Sequence, residues 1–411
     1  LLETDDLAEL ARALTAAPAG TTGGGPDLLA DRLPADVVAP AAGPVRPQSG
    51  LGTVLVTGAT GFLGAHLVGE LLATTGATVM CLVRAATPEQ ARDRVVRNLR
   101  AHGLDADPER IVGVPGDLAE PRLGLSESAW RELARRCDVL CHNGGLVNFT
   151  APYERLRPAN VGGTIEVLRL AALGGAPLHV VSTLGVYLVP ALRGKRVTER
   201  DAPDVPDGLP GAYEQTKWVA DRLCREAREA GLAVSLHRPA RVSGHSVTGH
   251  GNPDDYFNRL LTTFVQTGCV PDLAHSEDLS PVDHVAAGIV ALLGEPAGHD
   301  HHYFNAATIS YPELAAALAE RGHPVRLVPW ARWRDEVNGR LASGAPLALA
   351  PFLTALPEQE PGFPRPEFDC TATERAVGAP PPADRALVGR YLDFLASTGA
   401  VPHPSPAGAP A

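Results

Sequence analysis

Tyr213 and Lys217 stand four residues apart, so on a helix both side chains fall on one face and an ammonium lies near a phenol. A phenol with an ordinary pKa of about 10 is a poor proton donor or acceptor at neutral pH, and a nearby cation stabilises its phenolate. The pair therefore reads as a general acid with its tuning cation, and needs one further hydroxyl to align a carbonyl. Thr183, at the end of the segment Leu178 to Ser182, is suitably placed, with Ser182 as the alternative. By itself Tyr-x-x-x-Lys is common on helix surfaces. It gains weight from a second stretch, Val54 to Gly64, where a short apolar strand runs into glycines at 58, 61 and 64 and then into an apolar-periodic helix. Strand, glycine turn and helix form a dinucleotide-binding start, in which Gly58 turns the chain, Gly61 admits a pyrophosphate and Gly64 lets helix and strand close up. Thr57, Thr60, Phe62 and Leu63 complete this turn, and the amides that open the helix face the phosphates.

Twenty residues past Gly64 stands Arg84, where a site built for NAD would place an acidic residue against the ribose 2′-hydroxyl. An arginine suits a 2′-phosphate instead, and Arg94 supplies a second guanidinium, so NADPH is the expected cofactor. Arg92, Arg97 and Arg100 on the same helix read as a solvated face. Asp117-Leu118 is placed to reach an adenine edge, with a turn or cap role for Asp117 as the alternative.

These residues need a scaffold that brings strand ends together, and the sequence alternates strand and helix as a Rossmann-like doubly wound parallel sheet requires. Strands are expected at Thr53–Thr57, Ala77–Val83, Ile111–Val114, Asp138–Cys141, Leu178–Ser182 and Ala233–His237. Helices are expected at Phe62–Thr75, Pro88–Ala101, Tyr153–Leu173 and Ala212–Ala230, the last closed by Gly231. Beyond Pro239 the rhythm changes to helices near Asp255–Gln266, Tyr311–Glu320, Trp330–Leu341 and Arg385–Ala396, a smaller and mostly helical substrate domain. His302 to Asn305 is expected to return one late strand to the sheet. Asp300, His301 and His302 beside His299 read as a solvated loop, and no metal site is expected. Trp330 and Trp333 read as core or interface packing, with an acyl groove as the alternative. An amphipathic helix over Asp5–Ala16, a flexible spacer over Ala17–Gly25, an extended surface segment over Leu33–Pro44 and a disordered tail over Val401–Ala411 complete the chain.

A formal charge of −11 argues against nucleic acid or an anionic membrane as the main partner, and no apolar run is long enough to span a bilayer. The six cysteines lack Cys-x-x-Cys spacing, and reduced thiols in a cytoplasmic protein are expected.

The motifs together resemble the extended short-chain dehydrogenase/reductases, and within them the thioester reductase domains that end nonribosomal peptide and polyketide synthetases. The matching stretches are Thr57–Gly64, Leu82-Val83-Arg84, Gly116–Leu118, His142–Asn148, Asn160–Thr164, Val181–Thr183, Tyr213–Trp218 and Arg238–Gly244. The resemblance implies that Thr183, Tyr213 and Lys217 are catalytic and that Lys217 also holds the cofactor ribose. It places Asn143, Gly144 and Gly145 beneath the cofactor, Pro239, Ala240 and Val242 near the nicotinamide, and Asn160 among the cofactor residues. It further implies reduction of an acyl or peptidyl thioester, carried on the phosphopantetheine of an upstream carrier protein, to an aldehyde, with a second reduction to the alcohol left open. Residues 1–50 then read as carrier remnant and linker, 51–244 with a return at 280–308 as the NADP-binding domain, and 245–279 with 309–400 as a substrate and carrier-docking domain. A monomer is expected. The rival readings are a nucleotide-sugar epimerase or dehydratase, and a non-redox binding or cyclising module on the same fold.

Overall fold

The computed structural model describes residues 26–38, 50–105, 107–353 and 365–403, so the expected helix at 5–16 and the spacer after it lie outside the described residues. Seven parallel strands form the central sheet: β1 (Thr53–Thr57), β2 (Thr78–Val83), β3 (Ile111–Pro115), β4 (Val139–His142), β5 (Leu178–Val181), β6 (Val234–Pro239) and β7 (Asp300–Tyr303). Their spatial order is β7-β6-β5-β4-β1-β2-β3. The order reverses between β1 and β4, where Thr57 lies opposite His142, and a doubly wound sheet binds its ligands beyond the strand ends at such a point.

The helices in chain order are α1 (Phe62–Thr74), α2 (Pro88–Ala101), α3 (Glu127–Arg136), α4 (Tyr153–Arg157), α5 (Gly163–Gly174), α6 (Ala212–Glu229), α7 (Tyr256–Thr267), α8 (Val282–Leu292), α9 (Tyr311–Glu320), α10 (Trp330–Ala342), α11 (Thr371–Val377) and α12 (Arg385–Ser397). Continuous apolar strands demand cover on both faces, and the sheet has two apolar cores. One packs β1 and β2 against α1, α2 and α8, and the other packs the opposite face against α3, α5 and α6. A third core joins α7, α9, α10 and α12. Trp330 and Trp333 are buried in it with ring centroids 5.2 Å apart, so both are packing residues and neither lines an acyl groove. Among the described residues no helix is long and apolar enough to cross a membrane.

Three sequence expectations are corrected. The helix expected over Tyr153–Leu173 is broken at Pro158, which has no N–H to donate, and Pro158–Gly162 forms a π turn between α4 and α5. Only His299 of the expected solvated loop is exposed and outside a strand, because Asp300–Tyr303 is the edge strand β7 and pairs with Leu236–Pro239. Asp300 is drawn in by Arg228 and Arg238, and His302 is buried beside Arg238. The late strand expected at His302–Asn305 therefore exists, two residues earlier. The tail expected to be disordered from Val401 starts packed, since Val401 is buried in the third core, while residues 404–411 lie outside the described residues. The part of the 33–44 segment that is described, with the turn before it, rests on the second face of the sheet, where Asp31 pairs with Arg157 and its carbonyl accepts from Arg222. All six cysteines are unpaired and buried.

Candidate active site

At the end of β1, Gly58 adopts φ +73°, a left-handed conformation that favours glycine, and its Cα faces the backbone of Gly144 so closely that a Cβ would lie 2.8 Å from it. Gly64 meets the same turn from the helix side, where an added Cβ would sit 2.0 Å from the Gly58 carbonyl oxygen. Gly61 caps α1 without any side-chain bond, which leaves the first helical amides free. The result is a cradle with exposed Thr60 and Gly61 at its lip. Its shape fits a dinucleotide pyrophosphate. Replacing Gly64 by Ala is expected to displace the helix start and raise KM for the cofactor on the order of 100-fold, read by initial rates or by nucleotide fluorescence.

The cradle is braced by a residue that the sequence reading missed. Asn98, from α2, donates to the carbonyls of Ala59 at 3.1 Å and Gly61 at 3.0 Å. Only its mid-helix position among arginines marks it in the sequence, and that is a faint signal. Arg84 is exposed just past β2, and Arg94 reaches back to donate to the Arg84 carbonyl, so the two guanidinium-bearing residues share one corner of the site. Asp117 accepts from the Ala119 amide at 2.9 Å, which is the turn role, while Leu118 packs under Gly144. Phe62 turns inward against the rings of His66 and His102, at 5.3 Å each, and Leu63 packs on the core.

Beneath the cradle runs a polar relay that also escaped the sequence reading. Gly144 N–H donates to Thr57 Oγ1 (2.9 Å), which lies 2.8 Å from His142 Nδ1; His142 Nε2 lies 3.1 Å from Thr164 Oγ1, and Thr164 donates to the Asn160 carbonyl (2.7 Å). The Thr164 proton is spent on that carbonyl, so Thr164 must accept from His142 Nε2–H. His142 Nδ1 then accepts from Thr57. This fixes a neutral imidazole, in keeping with burial and the Lys217 charge, which pull its pKa to about 3. Asn160 is buried rather than open to a cofactor. Its amide holds the Leu146 amide (2.6 Å) and carbonyl (3.1 Å) and donates to Thr216 Oγ1 (3.0 Å), so it positions the loop after β4 against α6.

Ser182 and Thr183 are separated by their partners. Ser182 is buried and donates to Asp221 (2.7 Å), inside a cluster where Asp221 pairs in fork geometry with Arg238 at 2.8 and 2.9 Å. Thr183 is half-buried, and its hydroxyl accepts from Gly185 N–H (3.0 Å), which leaves its own proton available. Thr183 is therefore the hydroxyl that can address a carbonyl. Lys217 donates to the Val181 carbonyl (2.7 Å) beside it, and burial draws its pKa down to about 8. Tyr213 departs from expectation. Burial, with the neighbouring Glu214 carboxylate, pushes its phenol well above the ordinary value, and Lys217 does not offset this. The Tyr213 side chain thus stays protonated through the neutral range and can donate a hydrogen bond, but it is a weaker acid than the Tyr-x-x-x-Lys pattern implies. Pro239 ends β6, Ala240 N–H donates to the Tyr303 carbonyl (2.8 Å), and Val242 opens a short strand paired with Ser280-Pro281, so this segment borders the same strand ends.

Comparison with known proteins places this geometry. The family model described as male sterility protein, an NAD-binding family, matches residues 56–289. The chain is 39% identical over 404 residues to isonitrile lipopeptide synthase of Streptomyces coeruleorubidus, covering 92% of this chain and 27% of that protein. It is 35% identical over 397 residues to the L-2-aminoadipate reductase large subunit of Penicillium chrysogenum, covering 87% of this chain and 28% of that one. The chain thus spans little more than a quarter of these two relatives. Among solved structures, the terminal R domain from the myxalamid PKS-NRPS biosynthetic pathway superposes with a TM-score of 0.84 at 38% identity, covering 91% of this chain and 97% of that one.

Proposed function

Since the chain belongs to the male sterility protein family of NAD-binding domains, on the branch of the terminal reductase domains among the extended short-chain dehydrogenase/reductases, we propose that it reduces a carrier-bound acyl or peptidyl thioester with NADPH. The observation that carries this reading is that Thr183 follows β5, Lys217 reaches the Val181 carbonyl at the end of that strand, and Tyr213 stands one helical turn before Lys217 on α6, all next to the sheet that bears the glycine cradle. A nicotinamide cofactor follows from the family. Its phosphorylated form is favoured by Arg84 and Arg94 sharing the corner where a 2′-phosphate is recognised.

Gly58, Gly61 and the free amides of α1 would hold the pyrophosphate, and Lys217 would hold the ribose. When bound, NADPH supplies hydride to the thioester carbonyl. The Tyr213 and Thr183 hydroxyls donate to the oxyanion that develops there, and Tyr213 gives up its proton to leave a hemithioacetal. Cleavage of the C–S bond then passes the hemithioacetal's hydroxyl proton to the carrier thiolate and releases an aldehyde and free thiol, and a proton from solvent restores Tyr213. An upstream carrier protein is the proposed donor of substrate. The similarity to an aminoadipate reductase and to a terminal R domain supports this reading over an epimerase or dehydratase, and the non-redox reading gives no role to the donor pair.

Replacing Arg84 by Ala is expected to raise KM for NADPH roughly 10- to 100-fold, the worth of a hydrogen bond to a charged group, while KM for NADH stays put. Equal losses with both cofactors would remove Arg84 from the phosphate site. The activity itself is tested by incubating the chain with an acyl-pantetheine thioester and NADPH and trapping the product with a hydrazine. An aldehyde adduct is expected. No nicotinamide oxidation would sink the reading.

A further inference from the structure

The loop after β4 spends apolar surface on water in an unusual way. Leu146, Val147 and Phe149 are all exposed, Phe149 by 53%, within four residues of one another at the strand-end opening. Isolated exposed apolar side chains need no explanation, but a cluster beside a protonated phenol does. Phe149 meets Tyr213 edge to face with ring centroids 5.2 Å apart. On its other side Phe149 lies 6.3 Å from Phe352, and Phe352 lies 5.8 Å from Tyr256 at the start of α7. An aromatic path thus leads from the catalytic phenol into the smaller domain.

The path ends at paired charges. Arg241 lies over the Tyr256 ring at 4.8 Å and pairs with buried Glu277 at 3.1 Å, while Arg365 pairs with Asp278 at 2.7 Å. Tyr311 donates to Glu277 (3.0 Å) and the Arg241 amide donates to Asp278 (3.3 Å). Both cations are engaged by Glu277 and Asp278, and Asp255 adds a further carboxyl group beside Arg241, so neither cation is free and this end would penalise a chain that brought an anionic group.

The geometry points to Phe149, Phe352 and Tyr256 as the wall that receives the acyl chain of the thioester, selecting an extended, uncharged, apolar chain. This rests on the thioester reading above and names its substrate class. The chain lies along aromatic faces, removing its methylenes from water, and its carbonyl is delivered to Tyr213 and Thr183.

The test uses S-alkyl pantetheine thioethers as unreactive probes, with acetyl, octanoyl and ω-carboxyoctanoyl pantetheine thioesters as substrates. The wild-type chain with NADPH is expected to bind the octyl thioether, followed by tryptophan fluorescence, and to reduce octanoyl thioester in preference to the other two. Phe149→Ala and Phe352→Ala are each expected to weaken octyl binding and raise octanoyl KM on the order of 10-fold, leaving the acetyl substrate within about twofold. Phe149 is exposed, so its truncation should not unfold the chain. Equal losses for acetyl and octanoyl would reduce Phe149 to a prop for Tyr213 and overturn the inference, as would equal turnover of the carboxylated chain. Octyl binding without reduction of any thioester would instead sink the reductase reading and leave the wall standing.

Discussion

Tyr213→Phe is expected to lower kcat for thioester reduction by roughly 100- to 10,000-fold, the usual range for a positioned proton donor. The cofactor should bind as before, since the substitution removes one oxygen and leaves the ring against Phe149. The phenol is held protonated by burial and by the Glu214 carboxylate, so it acts as a donor across the neutral range and does not titrate there. The titrating member is Lys217, whose pKa burial lowers to about 8. It is charged below that value and loses its charge as pH rises through it. For the free chain, kcat/KM for NADPH should therefore fall above about pH 8, in the wild type and in Tyr213→Phe alike. A profile flat well past that point would show that the Lys217 charge is not what holds the ribose. Retention of most of kcat in Tyr213→Phe would assign the donor role to Thr183 alone.

Asp221→Asn is expected to destabilise the fold by about 3 kcal/mol, at the lower end for breaking a buried pair by removing one charge. Asp221 and Arg238 are both wholly buried, and Arg225 and Ser182 also lean on the same carboxylate. The loss is tempered because Arg238 keeps Asp300 at 2.8 Å and Arg225 keeps Asp204 at 2.9 Å. Burial alone would raise the Asp221 pKa, but Arg238 and its other partners outweigh this and hold it below the ordinary value. The carboxylate's contribution is therefore present above about pH 4, the unfolded value, and is lost only as pH falls through the lower folded one. Urea midpoints measured at neutral pH and in acid should converge for wild type and variant as the solution is acidified. The same variant frees the Ser182 hydroxyl next to Thr183, so a modest loss of kcat should accompany the loss of stability.

The parts of this molecule that were legible in sequence are those set by near neighbours. β1, the glycine turn and α1 follow from a strand run, glycine spacing and helical periodicity within a dozen residues, and Tyr213 with Lys217 needs only one helical turn. What was not legible depends on partners far along the chain. The choice between Ser182 and Thr183 is decided by Asp221, 39 residues on from Ser182, and Asp300, His301 and His302 join an edge strand where Arg228 and Arg238 draw Asp300 in. The direction of the Tyr213 shift follows from how deeply α6 is packed, which residue spacing does not report. Phe149 carries no motif at all, and its place beside Tyr213 and Phe352 exists only in the fold.

Single turnover of a carrier-bound octanoyl thioester, with nicotinamide oxidation and free thiol followed in one reaction, decides whether electrons from NADPH cleave a thioester at Tyr213. The two signals are expected to rise together, an aldehyde or its alcohol to be recovered, and Tyr213→Phe to abolish both while still binding NADPH. Thiol release without nicotinamide oxidation, or oxidation unaffected by Tyr213→Phe, would contradict that cleavage.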